Sequence, residues 1–348
     1  MVATSRLAAL LLVLPFHPAT APAATSIVER FVSAVAPLPP DDAPADDGPA
    51  RARRSAADVV IERRLNIEVD FPGDVHGAMY GGFLHGEAAV FTRSGHHLDA
   101  TVMRDGDTRV MSFDEPGDGG AQADPVSAGT GAEAMRVRRS VSPGHFEDPA
   151  AYSLHFHFFK HDDLVDSNVR VLHARYVAWW MADMATHVLP VDRFRASYAE
   201  RVRWLTSMPY GDAHSLDVFE RTLKAMDHTY GFDMDRTYKR KFVLLTAGRP
   251  MPGTSGVAFE GGNEAIASIA GRTRIVAHEI GHMLGATHLN AETRGWWGCE
   301  TNMLSISSTV RSDCLEYSAA NQRAMRSYMR HGPDTLAPRK MVDAPSPK

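Results

Sequence analysis

Three histidines and a carboxylate fall within eleven residues, His278-Glu279-Ile280-Gly281-His282-Met283-Leu284-Gly285-Ala286-Thr287-His288. An α-helix turns every 3.6 residues, so His278 and His282 project from one face and can reach one ion. Gly285 is placed to end that helix in a left-handed conformation that residues with a Cβ resist. His288 then follows a sharp turn and can return to the ion as a third ligand. Three histidines leave one tetrahedral position for water, which separates a catalytic zinc site from a closed structural one. Glu279, beside a ligand but not needed as one, suits a general base acting on a water whose pKa zinc lowers to about 7. The alternative is a core helix with incidental histidines in a chain that has 17.

Such a helix needs a core to lie against, and Ile275, Val276, Ile280, Met283 and Leu284 can supply its buried face. Residues 151–335 have the pattern of a compact α/β domain. Val169 and Val171 predict a strand. Val177, Trp180, Met181, Met184 and Val188 then recur at helical spacing until Pro190, and this stripe reads as core. Leu216, Phe219, Leu223 and Met226 predict another helix, and Phe242 to Leu245 a buried strand. His155, His157 and His161 are candidates for a second metal site, although a polar strand face opposite aromatics explains them as well. His96-His97 lies in a predicted turn.

Upstream, Leu65, Ile67 and Val69 alternate with polar residues, as do Leu98, Ala100 and Val102, with Asp105-Gly106 as a hairpin turn. Residues 59–113 therefore form a small β-rich unit. Pro, Ala and Asp dominate the stretch before it, so 25–58 reads as a disordered leader; 114–150 reads as a linker and 336–348 as a tail. Arg6, the apolar run Leu7 to Phe16 and the small residues Ala19 to Ala24 read as a signal peptide over 1–24. Ten apolar residues are too few for a bilayer that needs roughly 20, so no stable membrane insertion is expected. The expected location is secreted or periplasmic, where Cys299 and Cys314, the only cysteines, can pair; free thiols are the alternative. Asp and Glu (42) outnumber Lys and Arg (37), which gives no footprint for nucleic acid.

At these residues the chain resembles the metzincin clan of zinc metallopeptidases, whose consensus is His-Glu-x-x-His-x-x-Gly-x-x-His followed by a methionine-containing turn. It is similar to reprolysin-like members more than to astacins or serralysins. Cys299-Glu300-Thr301-Asn302-Met303-Leu304-Ser305 is similar to that turn, with Met303 beneath the histidines. The resemblance runs from Gly256 to Tyr328. It implies an α/β (α+β) zincin-like catalytic domain with a mixed sheet and an active-site helix. It also implies one catalytic Zn2+, held by His278, His282 and His288, and a polypeptide substrate. It further implies an edge strand in which Gly262, Asn263 and Ala265 pair with an extended peptide; one more buried strand is the alternative. Ser318 can cap a last helix with Ala324, Met325, Tyr328 and Met329 inward and Gly332 closing it. Ser305 stands where astacins and serralysins carry Tyr, and Leu289 where reprolysins carry Asp, so neither role transfers.

The resemblance also casts 59–113 as a pro-region, with cleavage expected within 114–165. Phe71-Pro72-Gly73-Asp74 is similar to the Phe-x-Gly-Asp string of astacin pro-regions, which makes Asp74 a candidate latency ligand; a Pro-Gly turn with a solvated aspartate is the alternative. The leading function is a secreted zinc endopeptidase. The rival is a secreted binding protein in which 59–113 recognises a surface and the zinc domain is a non-catalytic scaffold. Glu279 discriminates, because a scaffold has no use for that carboxylate.

Overall fold

The computed structural model describes residues 26–36, 38, 59–115, 154–190, 192–230, 238–295, 298–305, 311–333 and 340–345. The expected signal peptide, most of the leader and linker residues 116–150 lie outside these. No helix among the described residues is long and apolar enough to cross a membrane.

Five antiparallel strands come first: β1 (Val59–Phe71), β2 (Val75–Leu84), β3 (Glu87–Ser94), β4 (His97–Arg104) and β5 (Asp107–Asp114). Asp105 and Gly106, at φ 53° and 77°, close the β4–β5 hairpin as their sequence predicts. Leu65, Ile67, Val69 and Phe71 are buried at the expected period of two.

The leader is not disordered throughout. Ile27–Val35 forms helix α1, started by a reciprocal cap in which Ser26 and Glu29 each accept from the other's backbone N–H. Its Val28 and Phe31 pack on Val59, Leu84, Phe91 and Ala100, and this apolar pair is what orders it.

Six more strands follow: β6 (Leu154–Lys160), β7 (Phe194–Glu200), β8 (Arg240–Thr246), β9 (Thr254–Phe259), β10 (Glu264–Ser268) and β11 (Met341–Pro345). All eleven join one sheet, in the order β11-β9-β10-β8-β6-β7-β1-β2-β3-β4-β5. β1 pairs in parallel with β7, Ile67 opposite Phe194 through Asp70 opposite Ser197. The boundary expected at the linker therefore does not divide the fold. Releasing the β-rich unit would expose Leu65, Ile67, Val69 and Phe71, each worth about 1.5–3 kcal/mol of burial. The C-terminal part of the expected cleavage window also falls in β6, whose Phe156 and Phe158 are fully buried between β7 and β8.

Val169 and Val171, expected in a strand, belong instead to helix α2 (Val169–Tyr176). Asn168 caps it by accepting from the N–H of Arg170, and Val169, Leu172, His173 and Tyr176 bury at helical spacing. Two β-branched residues two apart were too short a signal against that cap. Helix α3 (Ala178–Asp183) and a π-helical turn (Met184–Val188) follow, carrying the buried Trp and Met stripe. Helix α4 (Ser215–Tyr230) sets Leu216, Phe219 and Leu223 on one face of the sheet. Helices α5 (Ile275–Met283) and α6 (Ala319–His331) share the opposite core with α2, α3 and Met303.

Candidate metal centre

All nine residues of α5 are buried, and the helix packs against β9 and β10. Its end is a Schellman turn: Ala286 N–H reaches Gly281 O at 2.8 Å and Gly285 N–H reaches His282 O at 3.0 Å, with Gly285 at φ 81°. That turn reverses the chain, and a 3₁₀ turn, His288–Asn290, brings His288 back.

The three Nε2 atoms converge, at 3.0 Å for His278–His288, 3.2 Å for His278–His282 and 2.9 Å for His282–His288. His278 Nδ1 lies 2.8 Å from Asn302 O and His282 Nδ1 3.2 Å from Ala286 O. A carbonyl oxygen only accepts, so both of these rings carry their proton on Nδ1 and leave Nε2 with its lone pair. Burial, then the neighbouring imidazoles, holds His278 well below the ordinary histidine range. Burial likewise brings His282 to about 3 and lowers His288. Neutral imidazoles with lone pairs aimed at one point are the form that binds a metal ion. A tetrahedral zinc about 2.0–2.1 Å from each nitrogen needs N···N separations of about 3.3 Å, close to those found. Among the described residues these three are the only such group.

The elements around the site fix each ligand. Asn302 O, which orients His278, belongs to the turn of Met303; the Met303 side chain is fully buried and its sulfur fills the space a Cβ at Gly281 would need. The bond between Cys299 and Cys314 closes the loop that carries this turn. Beneath it, Arg274, next to α5, is almost fully buried and pairs with Glu300 Oε2 at 3.1 Å and Asp313 Oδ1 at 2.8 Å. Tyr317 Oη donates to Ala277 O at 2.6 Å. Helix α6, capped by Ser318 and closed by Gly332 as expected, turns a buried Asn321 toward the backbone of Thr287. Its Oδ1 accepts from Thr287 N–H at 2.9 Å and its Nδ2 donates to Thr287 O at 3.2 Å, one residue before His288. Arg274, Asn321 and Gly281 escaped sequence reasoning because their partners are local in space only.

The Glu279 side chain lies against β9. Its carboxylate is fully buried, its two oxygens have no hydrogen-bond partner, and it occupies the space that a Cβ at Gly256 would fill. Burial, reinforced by the charge of Asp343, pushes its pKa well above the usual carboxylate range. A buried carboxylate without a protein partner, one residue from a ligand, is available to take a proton.

Other expectations do not survive. Gly262 and Asn263 lie in the turn between β9 and β10, and Ala265 is not on an edge, since β10 pairs with β8 on one side and β9 on the other. A short apolar run cannot state which neighbours it has. Gly262 O and Asn263 Oδ1 instead lie 2.7 and 3.1 Å from Lys241 Nζ; this fully buried nitrogen shares its N–H groups among them, Met283 O and Tyr328 Oη, and so ties α5, α6 and the β9–β10 corner together. Asp74 sits exposed in the β1–β2 turn at φ 58°. Five interstrand steps separate β1 from β9, roughly 24 Å at about 4.8 Å each, so it cannot reach the histidines. His155 and His157 share Ser197 Oγ at 3.0 Å, while His161 turns to Met208 O, so no second ion site forms there. His96 and His97 pair separately with Glu115 and Asp114.

No family model and no curated protein matches the chain. Among solved structures it is similar to the crystal structure of metalloproteinase-II from Bacteroides fragilis, at 15% identity over 76% of this chain and 86% of that one, with a TM-score of 0.47.

Proposed function

We propose that this chain is a secreted or periplasmic zinc endopeptidase of the metzincin type, acting on polypeptides. The observation that carries the reading is the convergence of three neutral Nε2 atoms, 2.9–3.2 Å apart, one residue from a buried, unpartnered carboxylate. His278, His282 and His288 would hold the zinc, which when bound supplies Lewis acidity and lowers the pKa of a water to about 7. Glu279 takes the proton of the attacking water and returns it to the amine that leaves. The Asn302 and Ala286 carbonyls hold two of the imidazoles in the tautomer the site needs. The pair Cys299–Cys314 fits an oxidising compartment.

The test is Glu279→Ala, with metal content and hydrolysis of a mixed peptide library read together. Zinc should remain near one equivalent while hydrolysis falls about 10²–10⁴-fold. Equal inactivity of wild type and variant, each with its zinc, would favour the scaffold reading.

A further inference from the structure

We propose that the chain's own residues 340–345 are a reversible occupant of the groove along β9 in which an extended peptide would lie beside Glu279. The idea deepens the function proposed above, and only its hydrolysis arm rests on that reading.

β11 is the last strand of the sheet and pairs antiparallel with β9, Met341 opposite Phe259, Val342 opposite Ala258, Asp343 opposite Val257 and Ala344 opposite Gly256. Glu260 N–H extends the ladder to Lys340 O at 2.8 Å. Without β11 the outer side of β9 would be an open row of backbone donors and acceptors, the surface on which an extended peptide adds as one more strand. The occupant also lies at the chemistry. Ala344 pairs with Gly256, the residue whose missing side chain makes room for the Glu279 carboxylate. Val342 pairs with Ala258, which belongs to the core under α5, so Val342 is turned toward that helix. β11 packs against α5.

Met341 packs on the core under α4 and Thr254 Oγ1 donates to Asp343 Oδ2 at 3.3 Å, yet the strand is less covered than its neighbours. Every residue of β10 is buried, whereas Met341 and Val342 are only half-buried and Asp343 is exposed. Pro345 offers no N–H to a ladder, and the register slips between Ala344 and Pro345.

The test uses the full chain with a site-specific protease sequence inserted between Thr335 and Leu336, cut after folding and zinc loading. Three readings are taken: hydrogen exchange of the β9 amides, binding of a fluorescent peptide spanning Lys340 to Lys348, and hydrolysis of a mixed peptide library. A tethered segment has an effective concentration on the order of mM, so the free peptide is titrated to that range. We expect the cut to speed exchange in Thr254–Phe259, the added peptide to restore protection, and hydrolysis to rise by about tenfold and fall again with peptide, as for a groove covered nine-tenths of the time. Val342→Asp in the uncut chain should give the same acceleration of exchange and guards against a cut protein that loosens as a whole. Peptide binding that protects β9 in a protein with no hydrolysis in either form would uphold the occupant and count against the peptidase. Unchanged β9 exchange after release of the segment, or hydrolysis that neither rises on cutting nor falls with peptide in an active protein, would overturn the occupant and leave the peptidase standing.

Discussion

Glu279 lies where a side chain at Gly256 would be: a Cβ there would stand 2.7 Å from the Cδ and Cγ of the glutamate. Glu279 and β9 are therefore fitted to each other, and neither can change alone. Gly256→Ala should displace the carboxylate while leaving the histidines in place. We expect one zinc per chain, a folded protein and a loss of about 10²-fold in kcat/KM, the range of a misplaced general base. Wild-type activity in a Gly256→Ala protein, with the substitution confirmed, would show that this contact does not position Glu279.

Asn321 holds Thr287 from both sides, and His288 follows directly. Replacing it by Leu removes both bonds and leaves two backbone groups unpaired. Zinc affinity, measured by competition with a chelator, should fall about 10–100-fold, as when a supporting partner of a ligand is lost. His278 and His282 keep their own carbonyl partners, so a variant with unchanged affinity would mean that His288 needs no support from α6.

Arg274 is a buried cation with two carboxylate partners, Glu300 and Asp313, between the start of α5 and the loop that carries Met303. Arg274→Met leaves both buried acids with only the partly exposed Arg272, 2.8 Å from Asp313 and 3.5 Å from Glu300. The expected destabilisation is about 3–5 kcal/mol by denaturant unfolding of the zinc-loaded protein. A change below about 1 kcal/mol would place the loop's anchorage elsewhere, in the disulfide or in Tyr317.

His173 in α2 bridges two strands three steps apart in the sheet, with Nε2 3.1 Å from Thr92 Oγ1 in β3 and Nδ1 2.8 Å from Tyr198 Oη in β7. Burial lowers its pKa to about 3, so it is neutral in the folded protein, whereas the unfolded chain protonates it near 6.5. Between these values the unfolded state binds more protons, so the stability contribution is full above about pH 6.5 and is lost as pH falls toward 3. The slope for this one group approaches about 1.4 kcal/mol per pH unit. Unfolding free energies at pH 7.5, 6 and 5 should fall less steeply in His173→Gln than in wild type. Parallel curves would remove His173 from the acid response.

The core of the site was legible in the sequence because its parts are near in the chain. His278 and His282 share a face through the helical repeat, Gly285 needs only its own positive φ, and His288 is three residues beyond it. Ser318, Gly332 and the Asp105-Gly106 hairpin were readable for the same reason: each is a local preference of the backbone, expressed within four residues.

What the sequence by itself determined, then, was that three histidines could converge beside a glutamate, and that the strands alternate. The tertiary structure alone decided which strands are neighbours. A period of two says that a strand has a buried face, not what lies along its edges, so it put Gly262, Asn263 and Ala265 on an edge that β11 occupies, and set apart a β1 that pairs with β7. The same limit hid β11, which meets β9 across more than 80 residues of chain. Asp74 and Asp343 differ in the same way. Both are exposed aspartates near a proline, and only the order of strands places one roughly 24 Å away across the sheet and the other near enough for its charge to act on Glu279 and His288. Hydrogen bonds between strands join whichever backbones the whole fold brings together, and that choice is made by the sum of all packing.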